Sequence, residues 1–190
     1  MTHLNIIGGS LRSRLLKSPK GDKTRPTTAL ARKAVFDMLA PEIEGARFLD
    51  LFAGSGAMGI EALSRGATHA TFVENGKEAF SCIRDNLKTF KLEGQSTLLS
   101  YDVKKALEML GKKGELFDII YCDPPYTLAS IHLEVLSFLD KQPLLKPGGT
   151  LFLEEGVPSS LDLQKPSLAH LVLKDSRRFG KSLVHRYLMI

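Results

Sequence analysis

From Leu4 to Pro19 apolar and polar residues alternate on both sides of Gly8-Gly9, the pattern of a short β-hairpin with a basic tip or edge. A polar linker, KGDKTRP, follows. Pro26-Thr27-Thr28 then opens a helix with a Thr as N-cap. Leu30, Ala34 and Met38, with Val35 and Leu39 beside them, give that helix one apolar face, and Pro41 closes it. Beyond residue 46 the rhythm changes. Short apolar runs at 46–52, 69–74, 96–102, 116–123 and 150–155 predict strands. Helix-period segments end at Gly66 and cover 77–90, 103–114 and 130–141. KPGG, at 146–149, predicts a turn before the fifth strand. Residues 168–190 read as two strands joined by a basic turn at Gly180.

Strands alternating with helices of this length predict an α/β fold: a mainly parallel sheet covered on both faces. The closing hairpin adds antiparallel edge strands. Ligands of such sheets bind at the carboxyl ends of the strands. The expected organisation is a basic hairpin extension over 1–26 and one α/β domain over 27–190.

Composition narrows the setting. The 190 residues are 43% hydrophobic and 25% charged, as in an ordinary globular protein long enough to bury a core unaided. Cys82 and Cys122 both lie in apolar segments, so a reduced cytoplasmic setting is expected rather than a disulfide scaffold. No apolar stretch approaches the roughly 18 residues of a membrane span, so neither export nor membrane insertion is expected. Monomer is the default for this length. The five histidines show no metal-ligand spacing, and no metal is expected.

Charge is uneven. Residues 1–36 carry eight basic side chains against Asp22 alone, and residues 174–186 carry five against Asp175. The formal net charge is only +5, so the stretch between is acidic. Two basic ends around an acidic middle fit either an uneven solvated surface or a footprint for a phosphate backbone.

The chemistry begins at DLFAGSGAMG, residues 50–59. Gly54, Gly56 and Gly59 match G-x-G-x-x-G between a strand and a helix. Glu74 ends the next strand, where a carboxylate can take both hydroxyls of a ribose. A dinucleotide would satisfy that much. Asp50, however, points at the same loop and would repel a pyrophosphate. An anion there suits a ligand with a cationic amine. S-adenosylmethionine has that amine, a sulfonium and a ribose, and it has no phosphate. Asp102, ending the third strand, reaches the adenine side of such a pocket or caps the following helix.

The fourth strand ends in Asp123-Pro124-Pro125-Tyr126. Prolines alone would mean a strand stop and a turn. Beside a ligand crevice, the four residues match the methylation of an exocyclic amino group on a base. That nitrogen's lone pair is delocalised into the ring. Two acceptors aimed at its hydrogens favour the pyramidal, reactive form. The Asp123 carboxylate and the Pro124 carbonyl can be those acceptors, and Tyr126 offers a face for stacking. The target base must be unpaired or flipped out.

Here the chain resembles a known family. LDLFAGSGAMGIEALSRGA together with DPPY resembles the class I S-adenosylmethionine-dependent methyltransferases that act on amino groups. IIGGSLRSRLL, RPTTALARKAVFDML and the stretch from Gly180 to Tyr187 are similar to the bacterial 16S ribosomal RNA (guanine-N2)-methyltransferases, nearly end to end. The resemblance implies a Rossmann-like sheet of about seven strands. It implies cofactor binding at Asp50, Phe52, Gly54, Gly56, Glu74 and Asp102. It places catalysis at Asp123, with Pro124, Pro125 and Tyr126 shaping the site. It also implies an N-terminal extension that helps hold RNA, through Arg12, Arg14, Arg25, Thr27 and Arg32. The expected partner is small-subunit ribosomal RNA or an assembling small subunit. Three other readings compete: an amino-methyltransferase acting on adenine or cytosine in DNA, an RNA-binding assembly factor without catalysis, and a nicotinamide-dependent dehydrogenase. The last leaves Asp50 and the tetrad without a role.

Overall fold

The structure, a computed structural model, describes residues 4–19, 29–125, 131–142, 144–157 and 167–190. Arg25, Thr27, Tyr126 and the helix opening expected at Pro26–Thr28 lie outside the described residues.

Among the described residues, seven strands form one sheet in the order β5-β4-β3-β6-β7-β9-β8. They are β3 (Arg47–Leu51), β4 (His69–Val73), β5 (Ser96–Leu99), β6 (Phe117–Cys122), β7 (Leu145–Gly156), β8 (Leu171–Phe179) and β9 (Ser182–Met189). The first five run parallel, and β9 and β8 close the sheet antiparallel. This is the mainly parallel α/β sheet with a closing hairpin that the periodicity predicts. The chain order reverses between β3 and β6, and such a switch point opens a crevice at the carboxyl edge.

Side-chain alternation builds two cores. Phe48, Phe72, Ile119, Tyr121 and Phe152 face one layer, which holds α1 (Ala29–Leu39), α2 (Ala57–Ser64) and α3 (Lys77–Phe90). Leu49, Val73, Ile120, Cys122 and Leu153 face the other, which holds α4 (Val103–Lys112) and α5 (Ile131–Lys141). Burying each such side chain contributes roughly 1.5–3 kcal/mol. Phe36 of α1 stacks on Phe48, with ring centroids 6.3 Å apart.

Two local expectations are corrected. KPGG does not precede the fifth strand; it is an interruption inside β7, whose pairing with β6 jumps from Leu145 to Thr150. Gly148, at φ 78°, permits the detour, and a Cβ on Gly149 would stand 3.0 Å from the Asp118 carbonyl. The short N-terminal β-hairpin is present, but Gly8-Gly9 is not its turn. The N-terminal ladder is only β1 (Leu4–Asn5) on β2 (Leu15–Leu16), and the loop between them docks on α2. Gly9, at φ 74°, lies so close to the Ser64 carbonyl that a Cβ would be 1.8 Å away.

The hairpin shares the main core rather than building its own, since Ile6 and Leu16 are buried in the α1–α3 layer. Glu61 of α2 holds it there. Its fully buried carboxylate accepts the Ile7 and Gly8 amides, each at 2.7 Å, and the Arg65 guanidinium at 2.7 Å.

Candidate active site at the carboxyl edge of the sheet

Register brings the acidic residues together. Leu51 pairs with Val73 on one side and with Cys122 on the other. Phe52, Glu74 and Asp123 are therefore neighbours just past the last rung, on strands roughly 4.8 Å apart. The glycine loop rises between them. Gly54 and Gly56 hold φ 56° and 79°, conformations open to glycine. Phe52 holds φ 63° without that freedom, a strained backbone of the kind that clusters at ligand sites.

Glu74 organises the loop. One oxygen accepts the Gly54 amide at 2.8 Å and the other the Gly76 amide at 2.7 Å. Each oxygen keeps a further lone pair for a hydroxyl. Gly76 makes this fold-back feasible, because a Cβ there would sit 3.0 Å from the Glu74 carboxylate. Phe52, Val73, Glu74, Asn75, Tyr101 and Val103 line a small hollow beside it.

Asp50 is 2% exposed and lies on the α2 side of β3. Its one hydrogen bond among the described residues comes from the Gly59 amide at 3.0 Å. Burial pushes its carboxyl up to about 7; the Gly59 bond pulls the other way and the Glu74 charge adds to the rise. A buried acid so poised prefers a cation beside it. Asp102 is exposed and caps α4 by accepting the Lys105 amide at 3.0 Å. It thus takes the capping role that was one of its two sequence readings.

Asp123 follows β6 directly and is half-buried; Pro124 is buried and Pro125 exposed. Beneath it, the buried Tyr121 hydroxyl donates to Glu154 of β7. Cys122 is buried beside it, and burial, followed by the Asp123 and Asp50 charges, holds its thiol well above the ordinary range. It stays a neutral strand residue, not a nucleophile.

Among the described residues, the N-terminal arginines Arg12, Arg14 and Arg32 do not gather at this edge. The hairpin loop bonds to Ser64 at the far end of α2, where Gly66 and Thr68 meet the residues entering β3. Arg12 and Arg14 thus stand near the amino edge, a five-residue strand, ~17 Å, from the level of Asp123. Both are exposed, and Arg14 lies over the Phe90 ring at 5.3 Å. Arg32 is corrected outright. It is 1% exposed, ion-pairs with Glu61 at 3.9 Å and donates to the Asn5 carbonyl at 2.7 Å. It braces the hairpin from within and presents nothing to a substrate.

Sequence reasoning missed Asn86. It is 1% exposed, bonds both backbone groups of Lys17 and donates to the Ser55 carbonyl at 3.1 Å. It fastens the hairpin's outgoing end to the glycine loop. Its only sequence signal is an amide on the apolar stripe of α3.

Comparison with known proteins places this chain in a family. The family model described as conserved hypothetical protein 95 matches residues 4–188. The ribosomal RNA small subunit methyltransferase D of Escherichia coli (strain K12) is 35% identical over 158 residues, covering 83% of this chain and 77% of that protein. The chain belongs to this methyltransferase family. YlbH of Bacillus subtilis is 38% identical over 151 residues, with 80% and 82% of the two chains covered. The solved structure of yhhF from Escherichia coli has a TM-score of 0.84 and 32% identity, over 99% of this chain and 98% of that one. Among the described residues of the methyltransferase, no helix is long and apolar enough to cross a membrane.

Proposed function

We propose that the protein transfers a methyl group from S-adenosylmethionine to the exocyclic N2 amino group of a guanine in 16S ribosomal RNA. The observation that carries the reading is the placement of Asp123-Pro124-Pro125 one strand from the glycine loop and two from Glu74, in a chain related to small-subunit ribosomal RNA methyltransferases. The residues fit the cofactor's chemistry. Asp50 suits its ammonium, Glu74 its ribose hydroxyls, and the hollow beside Phe52 and Val103 its base. Bound there, S-adenosylmethionine supplies an already activated methyl group, so no metal is required.

The chain's own residues position the acceptor. Asp123 takes a hydrogen bond from the guanine amino group and the Pro124 carbonyl takes the second. Together they draw the lone pair out of conjugation and aim it. Alignment supplies most of the acceleration, and the local negative charge assists. After transfer the nitrogen is cationic and loses its proton readily, so Asp123 orients rather than abstracts. Arg12, Arg14, Arg25 and Thr27 contact RNA away from the reacting base. The protein acts in the cytoplasm as a monomer, on RNA or on the assembling subunit.

The test is transfer of labelled methyl to small subunits lacking their guanine-N2 modification, followed by nucleoside analysis. Label on guanine N2 supports the reading. Label confined to adenine or cytosine of DNA sinks it.

Asp50 adds a pH signature. Its proton leaves as pH rises through about 7, and the ionised form favours the cationic ligand. Cofactor affinity should therefore rise with pH up to about 7 and then level, and Asp50→Asn should flatten that slope in a titration series. Unliganded stability moves oppositely. The folded carboxyl is raised above its unfolded value of 3.8, so its contribution is fully present below that value and is lost as pH rises through about 7.

A further inference from the structure

The β8–β9 turn is basic, exposed and at the same edge as Asp123. β6 and β7 are in register at Cys122 and Leu153, and Leu153 pairs with His185. The level of Asp123 is thus that of Glu154 and Val184. Ser182 pairs with Gly156, two residues farther out, and the Lys181 carbonyl accepts the Val157 amide at 3.0 Å. The turn therefore rises roughly 7 Å beyond Asp123, two strands or about 10 Å to its side. Gly180, at φ 62°, makes the reversal.

Three cations crowd this tip. Arg177 is paired with Asp175 at 3.2 Å. Arg178 is exposed and donates to the Gly180 carbonyl at 3.0 Å, and Lys181 is exposed. Among the described residues neither Arg178 nor Lys181 has an acidic partner. The tip stands on a firm base. The Ser176 hydroxyl bonds His185 Nδ1 at 2.7 Å, and His185 Nε2 bonds the buried Glu155 carboxylate at 2.7 Å. This chain of bonds crosses β8, β9 and β7 just under the turn.

We infer that the β8–β9 turn is an RNA-contact element of the methyl-transfer site, with Arg178 and Lys181 gripping phosphates of the strand that carries the target base. The inference rests on the proposed function. The backbone flanking a base seated at Asp123 passes along this edge, and cations without an acidic partner among the described residues are where phosphates gain most. The contact supplies register on the RNA and no base selectivity.

The experiment compares wild type, Arg178→Gln/Lys181→Gln and Lys174→Gln, a matched exposed cation lower on β8. RNA affinity is measured across a salt series with protein-free 16S RNA and with small subunits, alongside kcat and KM for methyl transfer. The double variant should raise KM and leave kcat within about twofold. Its log affinity against log salt should be shallower by about 1.4–1.8, as two lost phosphate contacts require. Lys174→Gln should match wild type. An unchanged slope and KM in the double variant overturn the inference, as does an equal effect from Lys174→Gln, which would mean a diffuse basic field. A defect on subunits with none on protein-free RNA also overturns it, because the partner is then a ribosomal protein. Wild type that transfers no methyl to ribosomal RNA sinks the proposed function instead, so the two failures are distinguishable.

Discussion

Asp123→Ala should lower methyl transfer to the small subunit by at least about 10²–10³-fold, the scale of losing one preorganised polar partner of a reacting group. Cofactor affinity should hold, because Asp50 and Glu74, on other strands, stay in place. Asp123→Asn keeps one acceptor oxygen and should fall between the variant and wild type. The decisive comparison is single-turnover transfer beside cofactor binding for all three proteins. A loss confined to the chemical step supports orientation of the amine. Full activity in the alanine variant would remove Asp123 from the mechanism.

Glu61→Ala should be strongly destabilising. It strips the counter-charge from Arg32, which is 1% exposed and whose Nε already lacks a hydrogen-bond partner. It also abandons the Ile7 and Gly8 amides. Breaking a buried pair from one side costs roughly 3–5 kcal/mol. For a chain of this size that lowers Tm by roughly 6–20 °C. Glu61→Gln retains an acceptor and should lose less. Thermal denaturation with limited proteolysis of residues 4–19 checks both, since undocking the hairpin exposes it before the sheet melts. A Tm within about 2 °C of wild type in the alanine variant would show that the hairpin is held by Ile6 and Leu16 instead.

Most of the fold was legible because its signals are local. A parallel strand buried on both faces is a nearly unbroken apolar run, as at Phe117–Cys122, and an amphipathic helix repeats its apolar face, as at Lys77–Phe90. The glycine loop, Glu74 and Asp123 were legible for a further reason. In this topology every strand of one direction delivers its last residue to the same edge. The basic turn at Gly180 was legible as composition, but not as part of that edge.

What failed to show in the sequence depends on partners far along the chain. Arg32 reads like any cation on a helix of a basic segment. Only the packing of α1 against α2 sets it beside Glu61, 29 residues later, and turns a substrate-facing charge into a buried brace. Asn86 reads as an ordinary helix residue until Lys17, 69 positions away, arrives against it. Gly8-Gly9 reads as a hairpin turn, because nothing local reveals the Ser64 carbonyl that forbids a side chain at Gly9.

By itself, then, the sequence determined the strand and helix order, the glycine loop and the identity of the acids at the carboxyl edge. Periodicity and backbone chemistry act over a few residues. Tertiary structure decided which charges are buried and which face outward, and it set the basic β8–β9 turn at the edge that carries Asp123. Burial and register are set by contacts between segments that the chain order keeps apart.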